Sequence, residues 1–253
     1  MTQISKNKKV VAGFGIWVLI IISFLGDGLG TNTLAQEPWR NERALDEKAL
    51  NGINIPDRRR IVSDSERIKF PFTAIVKIKV KFSDGTYWGS GAMIGPNRVL
   101  TAEHNVYDKA TDEHASITVI PAYSDGYAPF GEIKVKEFEH GTHAGCHDGA
   151  NCDIAVLTLA QNIGNKTGWF GFREFSSNSM SNVFMVGYPK DRGNGESMYM
   201  LKTTATKQSD GTYHNALSYQ DWTYGGMSGG PIFTSDNYIV EYIQAEVTQQ
   251  ITE

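Results

Sequence analysis

A succession of short strand patterns and turn signals from residue 72 onward limits what this chain can fold into. In the clearest pattern, residues 74–82, apolar and basic side chains alternate with a period of two, as a half-buried antiparallel strand requires. Clusters of Gly, Pro, Asn, Asp and Ser separate this segment from later strand candidates. Long amphipathic helical patterns are missing between residues 60 and 253, so the sequence predicts an all-β barrel or sandwich. The later strand candidates are residues 117–120, 133–135, 154–159 and 183–186.

The composition limits the class of protein and of partner. With 253 residues, 40% of them hydrophobic, the chain is long enough for one large globular domain or two modest lobes. Its 24 basic and 28 acidic side chains give a net charge of −4, so no general positive field is available to hold a nucleic-acid backbone. Two cysteines exclude a disulfide scaffold and cannot alone form a four-ligand zinc site. We therefore expect a globular protein without a nucleic-acid partner.

The N-terminus has the pattern of a secretory signal. Three lysines precede an uncharged run of 16 residues, 10–25, and small residues follow this run up to Ala35. The run is shorter than the roughly 20 residues that span a bilayer comfortably, so cleavage after Ala35 is favoured over a retained membrane anchor. We predict a signal peptide at residues 1–35 and a secreted, extracellular protein without stable membrane association. The retained anchor is the alternative.

Residues 36–50 are polar and charged, and they are too few to bury a core of their own. A pro-segment and a frayed N-terminal arm both fit this composition. We interpret the segment as a pro-segment.

Three local sequences hold side chains suited to catalysis, although each also has an ordinary structural explanation. His104 ends a strand-like segment, and a lone histidine is usually structural or simply exposed. Asp153 precedes the apolar pattern 154–157, where an aspartate is a common turn residue. Ser228 lies within Gly225-Gly226-Met227-Ser228-Gly229-Gly230-Pro231, which also fits a glycine-rich hairpin with an incidental serine.

The glycines around Ser228 give this segment a specific chemistry. They permit a tight backbone turn and leave amide N–H groups unshielded by side chains. The N–H groups of Gly226 and Ser228 can then converge on a developing oxyanion while the Ser228 hydroxyl attacks a carbonyl carbon. The segment is a candidate nucleophile with its own oxyanion hole.

Taken together, the three segments resemble the chymotrypsin-like serine proteases, and in particular the secreted bacterial glutamyl endopeptidases with their exfoliative-toxin relatives. The resemblance extends over roughly residues 55–233. The order His, Asp, Ser and the spacings of 49 and 75 residues are similar to those of the bacterial branch. Residues 101–104 match the family's Thr-Ala-x-His, 153–157 its Asp-Ile-Ala-Val-Leu and 226–231 its Gly-x-Ser-Gly-x-Pro, with further matches at 89–96 and 186–189.

The resemblance implies two antiparallel β-barrels with the active site between them, the first at about 60–165 and the second at about 170–253. It implies that Ser228 attacks the peptide carbonyl, that His104 accepts and returns the proton, and that Asp153 holds the imidazole in one tautomer. It implies neither a metal nor an organic cofactor. The expected substrates are extracellular proteins or peptides, and the expected state is a monomer.

Residues 58–62, Arg58-Arg59-Arg60-Ile61-Val62, invite comparison with digestive proteases, in which a freed Ile-Val amino group pairs with an aspartate just before the nucleophile. Here that position is Met227, which offers a buried ammonium no carboxylate, so we reject this switch. Relatives in the bacterial branch instead begin their mature chain shortly before a pair that resembles Asp57-Arg58. We therefore expect a zymogen that a maturing protease cleaves close to Asn51, leaving a protease domain at 51–253.

The resemblance also suggests a specificity pocket. Thr223 lies five residues before Ser228, where the glutamyl branch has a threonine that binds the substrate carboxylate, and this favours acidic P1 residues. The branch's pocket histidine aligns with Gln244, which can donate hydrogen bonds but carries no charge. We therefore expect a glutamyl preference with weakened selection of Glu over Gln.

The sequence departs from its relatives at the C-terminal end. They continue beyond the position of Gln244 with a further strand and a helix that have no obvious counterpart here. We expect a shortened second barrel with an exposed edge. Either the sequence is truncated, or the ending is natural and activity is impaired. The alternative function is that of a catalytically impaired protease-fold protein that acts as a binding module.

Cys146 and Cys152 lie on either side of a five-residue loop directly before Asp153. In an exported protein a disulfide bridge between them is favoured, and it would stiffen the segment that presents the aspartate. Two free thiols are the alternative. Three nearby histidines could complete a metal cluster, but the paired distant half of a structural zinc site is missing, so a solvated loop without metal is favoured.

Overall fold

The protein is described from a computed structural model that covers residues 57–141, 153–173, 175–207, 213–215 and 223–243. Outside these residues lie the predicted signal peptide, the segment 36–50, the expected cleavage position at Asn51, both cysteines and Gln244.

The described chain is built mainly from short strands, and the prediction of an all-β fold is confirmed. Within the residues described, helical structure is limited to single turns: α1 (Asp64–Arg67), α2 (Gly164–Thr167) and 3-10 turns at Phe72–Ala74, Glu103–Asn105 and Gly193–Gly195. In chain order the strands are β1 (Arg60–Ile61), β2 (Ile75–Phe82), β3 (Gly85–Met93), β4 (Arg98–Thr101), β5 (Tyr107–Asp108), β6 (Glu113–His114), β7 (Ser116–Pro121), β8 (Ile133–His140), β9 (Ala155–Leu159), β10 (Gly171–Phe172), β11 (Ser179–Gly187), β12 (Tyr199–Lys207), β13 (Tyr213–Asn215), β14 (Pro231–Phe233) and β15 (Tyr238–Tyr242).

The first unit is a closed barrel of six antiparallel strands in the order β2-β3-β4-β9-β8-β7. Along β2, Ile78 is buried whereas Lys79 and Lys81 are exposed, as the alternating pattern predicts. Lys77 departs from this pattern and is buried, because the second unit covers it. Its Nζ atom donates to Glu196 Oε1 at 2.9 Å.

The second unit is a seven-stranded sheet in the order β1-β12-β11-β14-β15-β10, with β13 paired to β12. We expected two barrels. The first is a closed barrel, and over the residues described the second is a sheet with its own apolar cluster. β1 was expected in the first barrel, but Arg60 lies opposite Met200 at the edge of the second sheet. The N-terminal segment therefore crosses from the second unit to the first before Ile75.

The predicted strands agree closely with the observed ones. Residues 117–120, 133–135 and 183–186 fall within β7, β8 and β11, and 154–159 begins one residue before β9. Short runs rich in β-branched and other apolar residues, bounded by turn signals, were sufficient to locate these strands. In the part of the chain that the structure describes, no helix is both long and apolar enough to cross a membrane.

Candidate active site

The pairing of β4 with β9 brings His104 and Asp153 together. In the antiparallel register Thr101 lies opposite Ala155. His104 follows three residues after Thr101, in a 3-10 turn, and Asp153 precedes Ala155 by two. Because antiparallel neighbours end and begin at the same edge of the sheet, two residues 49 positions apart leave the barrel side by side.

Two hydrogen-bond contacts join His104 to Asp153. The Oδ2 atom of Asp153 lies 2.7 Å from His104 Nδ1, and its Oδ1 atom accepts the backbone N–H of His104 at 2.9 Å. The imidazole is 7% exposed and the carboxyl 20%, so the contact is largely shielded from solvent. A carboxylate in this position favours a proton on Nδ1 and leaves Nε2 able to accept one.

Ser228 lies in the turn before β14, and the glycine that follows it determines how closely this turn approaches the barrel. Gly229 has a φ of +82°, which L side chains rarely adopt. A β-carbon placed on Gly229 would lie 2.2 Å from Thr101 Oγ1 and 2.4 Å from Ser90 O. Glycine at this position therefore allows the serine segment to lie directly against the end of β4.

The backbone of Ser228 is hydrogen-bonded to the barrel that carries His104. Its carbonyl oxygen accepts the Ser90 N–H at 2.9 Å and a hydrogen from Asn105 Nδ2 at 2.9 Å. Because Asn105 follows His104, the three predicted triad residues lie in one region. Among the described residues, the hydrogen bonds of Ser228 involve its carbonyl oxygen and not its hydroxyl. His104 thus contacts Asp153 directly, whereas its neighbour Asn105 donates a hydrogen bond to the backbone of Ser228.

The amides of Gly226 and Ser228, the candidate oxyanion hole, are oriented through the carbonyls of the preceding residues. The carbonyl before Gly226 accepts the Lys190 N–H at 2.7 Å, and the carbonyl before Ser228 accepts the Gly230 N–H at 2.9 Å. Across a trans peptide the C=O and N–H bonds point in opposite directions, so the two N–H groups point away from these partners. No backbone hydrogen bond within the described chain uses either N–H group.

Ser90 connects the two units at the site, although sequence analysis did not single it out. Its buried hydroxyl donates to Gly226 O at 2.6 Å and accepts the Tyr188 N–H at 2.9 Å. Its carbonyl oxygen accepts a hydrogen from Thr101 Oγ1 at 2.8 Å. Ser90 belongs to the matched segment 89–96, but its partners lie far away in sequence, so only their contacts reveal its importance.

The half-buried Thr223 belongs to the loop that leads to Ser228. The adjacent ring of Tyr224 lies 4.6 Å from the Arg59 guanidinium. Arg59, whose side chain is 1% exposed, forms ion pairs with Asp57 at 2.9 Å and Asp191 at 2.5 Å. Burial alone would raise the pKa of Asp57, but hydrogen bonds and charge from Arg59 outweigh burial and lower this pKa. The other predicted pocket residue, Gln244, lies outside the described residues.

Met227, the residue on which we based the rejection of the digestive-protease switch, lies in an apolar environment. Its side chain is fully buried in a cluster with Val183 and Met185. Val62 is also buried, and its N–H donates to Met198 O at 2.8 Å. The Ile-Val pair is therefore part of the sheet edge.

His140, one of the histidines considered for a metal cluster, contacts Glu103 instead. Its Nδ1 atom lies 2.7 Å from Glu103 Oε1, and Lys109 Nζ lies 2.5 Å from Oε2 of the same carboxylate. His143 and His147 lie outside the described residues. Within the described ranges, no group of three or more His, Cys, Asp or Glu side chains is arranged to hold a metal ion.

The match to a protein-family model shows which family this chain belongs to. Residues 89–240, more than half of the chain, match the model described as a trypsin-like peptidase domain. The chain belongs to this family. Its chymotrypsin-like fold is confirmed by a solved structure of a Glu endopeptidase in complex with MPD, with a TM-score of 0.64 and 25% identity over 76% of this chain and 87% of that one.

Two proteins of known sequence are similar to this trypsin-like peptidase. A glutamyl endopeptidase of Bacillus licheniformis is 29% identical over 215 residues, which cover 83% of this chain and 63% of that protein. A Bacillus subtilis protein named extracellular metalloprotease is 29% identical over 198 residues, which cover 77% of this chain and 60% of that protein. The matches thus span about three fifths of the length of these curated relatives.

Proposed function

We propose that this trypsin-like peptidase is a secreted serine endopeptidase that cleaves proteins through an acyl-enzyme. The observation that carries the proposal is the shielded contact between His104 and Asp153 beside the backbone of Ser228. In this mechanism His104 Nε2 accepts the proton of the Ser228 hydroxyl as the oxygen attacks the peptide carbonyl, and then gives it to the leaving amine. The same base activates the water that hydrolyses the ester.

The amides of Gly226 and Ser228 would stabilise the tetrahedral oxyanion. Their orientation, set by the Lys190 and Gly230 N–H groups behind them, supports this part of the proposal. Such donors are effective because they are already aligned before charge develops, and the loss of one typically costs about 10²–10³ in kcat.

We propose acidic P1 residues, Glu above all, as the preferred cleavage positions. The place of Thr223 in the loop before the nucleophile supports this preference. So does the similarity to proteins named glutamyl endopeptidase. A threonine hydroxyl can donate a hydrogen bond to a substrate carboxylate, and loop amides can add further donors.

Secretion and maturation complete the proposal. The pattern of residues 1–35 supports export, and the Bacillus subtilis relative is named extracellular. Removal of residues before Asn51 would leave Arg59 to anchor the new N-terminal segment against the second sheet.

Covalent labelling tests the serine mechanism. The full chain is expressed in a secreting host, and the folded protein from the medium is treated with a fluorophosphonate. We expect stoichiometric labelling at Ser228, loss of it in Ser228→Ala and a rate lower by about 10³-fold or more in His104→Ala. Ser124→Ala, which changes another poorly exposed serine, should label normally. A folded protein that is not labelled would contradict the proposal and favour the binding-module alternative.

Peptides that differ only at P1 test the substrate preference. We expect kcat/KM to be highest for Glu, lower for Asp and Gln, and lowest for Lys. Thr223→Val should reduce kcat/KM for the Glu peptide by about tenfold, because it removes a hydrogen bond to a charged group, with little change for a Phe peptide. A preference for Lys or Phe would contradict glutamyl specificity but not the serine mechanism.

A further inference from the structure

Asn105 follows His104 in the 3-10 turn, and only 7% of its surface is exposed. Its Nδ2 atom donates to Ser228 O at 2.9 Å and to Thr101 Oγ1 at 3.0 Å. Thr101 ends β4 in the barrel, whereas Ser228 precedes β14 in the sheet. One buried amide therefore bridges the two units at the point where the candidate base and nucleophile meet.

The neighbouring groups determine which end of this amide faces Ser228. Thr101 Oγ1 donates its own hydrogen to Ser90 O at 2.8 Å, so towards Asn105 it acts as an acceptor. The Ser228 carbonyl oxygen can only accept. A side chain that meets two acceptors must present an NH₂ group, and a carboxylate of the same shape would place oxygen against oxygen.

The barrel has a slot that fits the amide. A β-carbon placed on Gly89 in β3 would lie 2.5 Å from the Cγ, Nδ2 and Oδ1 atoms of Asn105. A side chain at position 89 is therefore incompatible with this position of the amide. Packing against Gly89 and the two hydrogen bonds together hold the Asn105 rotamer.

The hydrogen bonds form a closed ring. Asn105 donates to Thr101 Oγ1, Thr101 donates to Ser90 O, and Ser90 N–H donates to the same Ser228 oxygen that Asn105 reaches. The Ser228 carbonyl thus receives two donors from different directions. The peptide plane that follows the nucleophile is fixed by both of them.

We propose that Asn105 is a positioning residue that sets the distance between the turn bearing His104 and the backbone of Ser228. The inference rests on the proposed serine mechanism and adds to it a contact outside the triad and the oxyanion hole. Asn105 acts through Ser228, without touching the substrate. Because a displacement of about 1 Å can cost about 100-fold in rate, loss of this bond should lower kcat and leave KM nearly unchanged.

Two substitutions test the proposal in the full secreted chain. Asn105→Ala removes the donor and the bulk, whereas Asn105→Asp keeps the shape and removes the donor. We measure the fluorophosphonate labelling rate, and kcat and KM on the best peptide of the P1 series, per folded molecule as counted by circular dichroism. We expect kcat and the labelling rate to fall about 10- to 100-fold in both variants, with KM within about threefold.

The relative activities of the two variants distinguish a hydrogen-bond donor from a group that only fills space. If Asn105 only fills the slot, Asn105→Asp should retain more activity than Asn105→Ala; if it donates to Ser228, Asn105→Asp should be no better. Thr73→Val is the matched control, because it removes a buried hydrogen bond of 2.6 Å to Thr167 O that is not part of the ring around Ser228, and it should leave kcat unchanged.

Four results would overturn the proposal: wild-type kcat in either variant, greater activity in Asn105→Asp than in Asn105→Ala, a change confined to KM, or an equal loss of kcat in Thr73→Val. A failure of the proposed function has a different signature, since the wild-type protein would then be neither labelled nor active.

Discussion

The Arg59 guanidinium forms a two-point ion pair with Asp191, with Nη1–Oδ1 and Nη2–Oδ2 distances of 2.9 and 2.5 Å. Arg59 directly precedes β1, and Asp191 lies in the connection from β11 to β12. Asp57 accepts from the same guanidinium, and the Tyr224 ring lies against its face. This cluster ties the start of the described chain to the loop that leads to Ser228.

Arg59→Met should destabilise the protein by about 2–3 kcal/mol, because Asp57 and Asp191 lose a cation that is buried between them. The expected cost is below that of a fully buried pair, since both carboxylates keep some contact with water. The free energy of unfolding in urea measures it. Arg60→Met is the control: its ion pair with Glu66 is largely exposed, so about 0.5 kcal/mol is expected. Equal effects of the two substitutions would contradict the role of burial.

Asp153→Asn should reduce kcat by about 10⁴-fold while the protein remains folded. The Oδ1 atom of Asp153 accepts the backbone N–H of His104, and an asparagine would keep that contact with its oxygen. The NH₂ group of the asparagine would then face Nδ1 and force the ring proton onto Nε2. A protonated Nε2 cannot accept the proton of the Ser228 hydroxyl. A pH–rate profile and a thermal unfolding curve of the variant test this. Near-normal kcat would show that the tautomer of His104 is not limiting.

Gly229→Ala should destabilise the protein more than Gly126→Ala, although both glycines have a φ of +82°. At Gly126 nothing lies within 4 Å of an added β-carbon, so the cost is the backbone strain alone, about 1–2 kcal/mol. At Gly229 the β-carbon would also overlap Thr101 Oγ1 and Ser90 O, which adds steric strain and displaces Ser228. Unfolding in denaturant measures the difference in stability, and the rate of fluorophosphonate labelling reports the displacement of Ser228. Labelling should fall only in Gly229→Ala.

The Lys77–Glu196 ion pair between the two units should make stability depend on pH in the acid range. Burial raises the pKa of Glu196, but hydrogen bonds from Tyr123 and Lys77 outweigh it and lower this pKa below its ordinary value of 4.5. A lowered carboxyl pKa contributes stability that is present above pH 4.5 and is lost as the pH falls through the lowered value.

Glu196→Gln should therefore lower Tm at pH 7 by about 1–3 °C, a modest effect because the carboxylate is partly exposed. The difference from the wild type should shrink as the pH falls through the lowered pKa of Glu196. Glu137→Gln, which changes an exposed carboxylate further along β8, should change Tm little across the same pH range. A difference that stays constant down to the lowest pH at which both proteins remain folded would exclude Glu196 as the titrating group.

Local patterns allowed much of the fold and the candidate triad to be predicted. The alternation in residues 74–82 located β2, because a strand with one buried face needs a period of two. The motifs around His104, Asp153 and Ser228 were recognisable because each is short and contiguous. The register between Thr101 and Ala155 then explains why two of these motifs meet.

Contacts between segments distant in sequence were not predictable in the same way. The burial of Lys77 and the pairing of β1 with β12 depend on how the second unit covers the first, and a basic side chain or a two-residue strand has no local signal of this. The same holds for Ser90, whose hydroxyl is important only because Tyr188 and Gly226 reach it from the other unit.

By itself, the sequence determined the all-β class, most strand positions and the three residues on which the proposed chemistry depends, because hydrophobic periodicity and short motifs are local properties. Only the tertiary structure decided which sheet β1 joins, how the amides of Gly226 and Ser228 are oriented, and that the Asn105 amide donates a hydrogen bond to the Ser228 carbonyl. These features arise from strand register and from the packing of one unit against the other. They depend on contacts between residues that are distant in sequence, and no local sequence pattern reports such contacts.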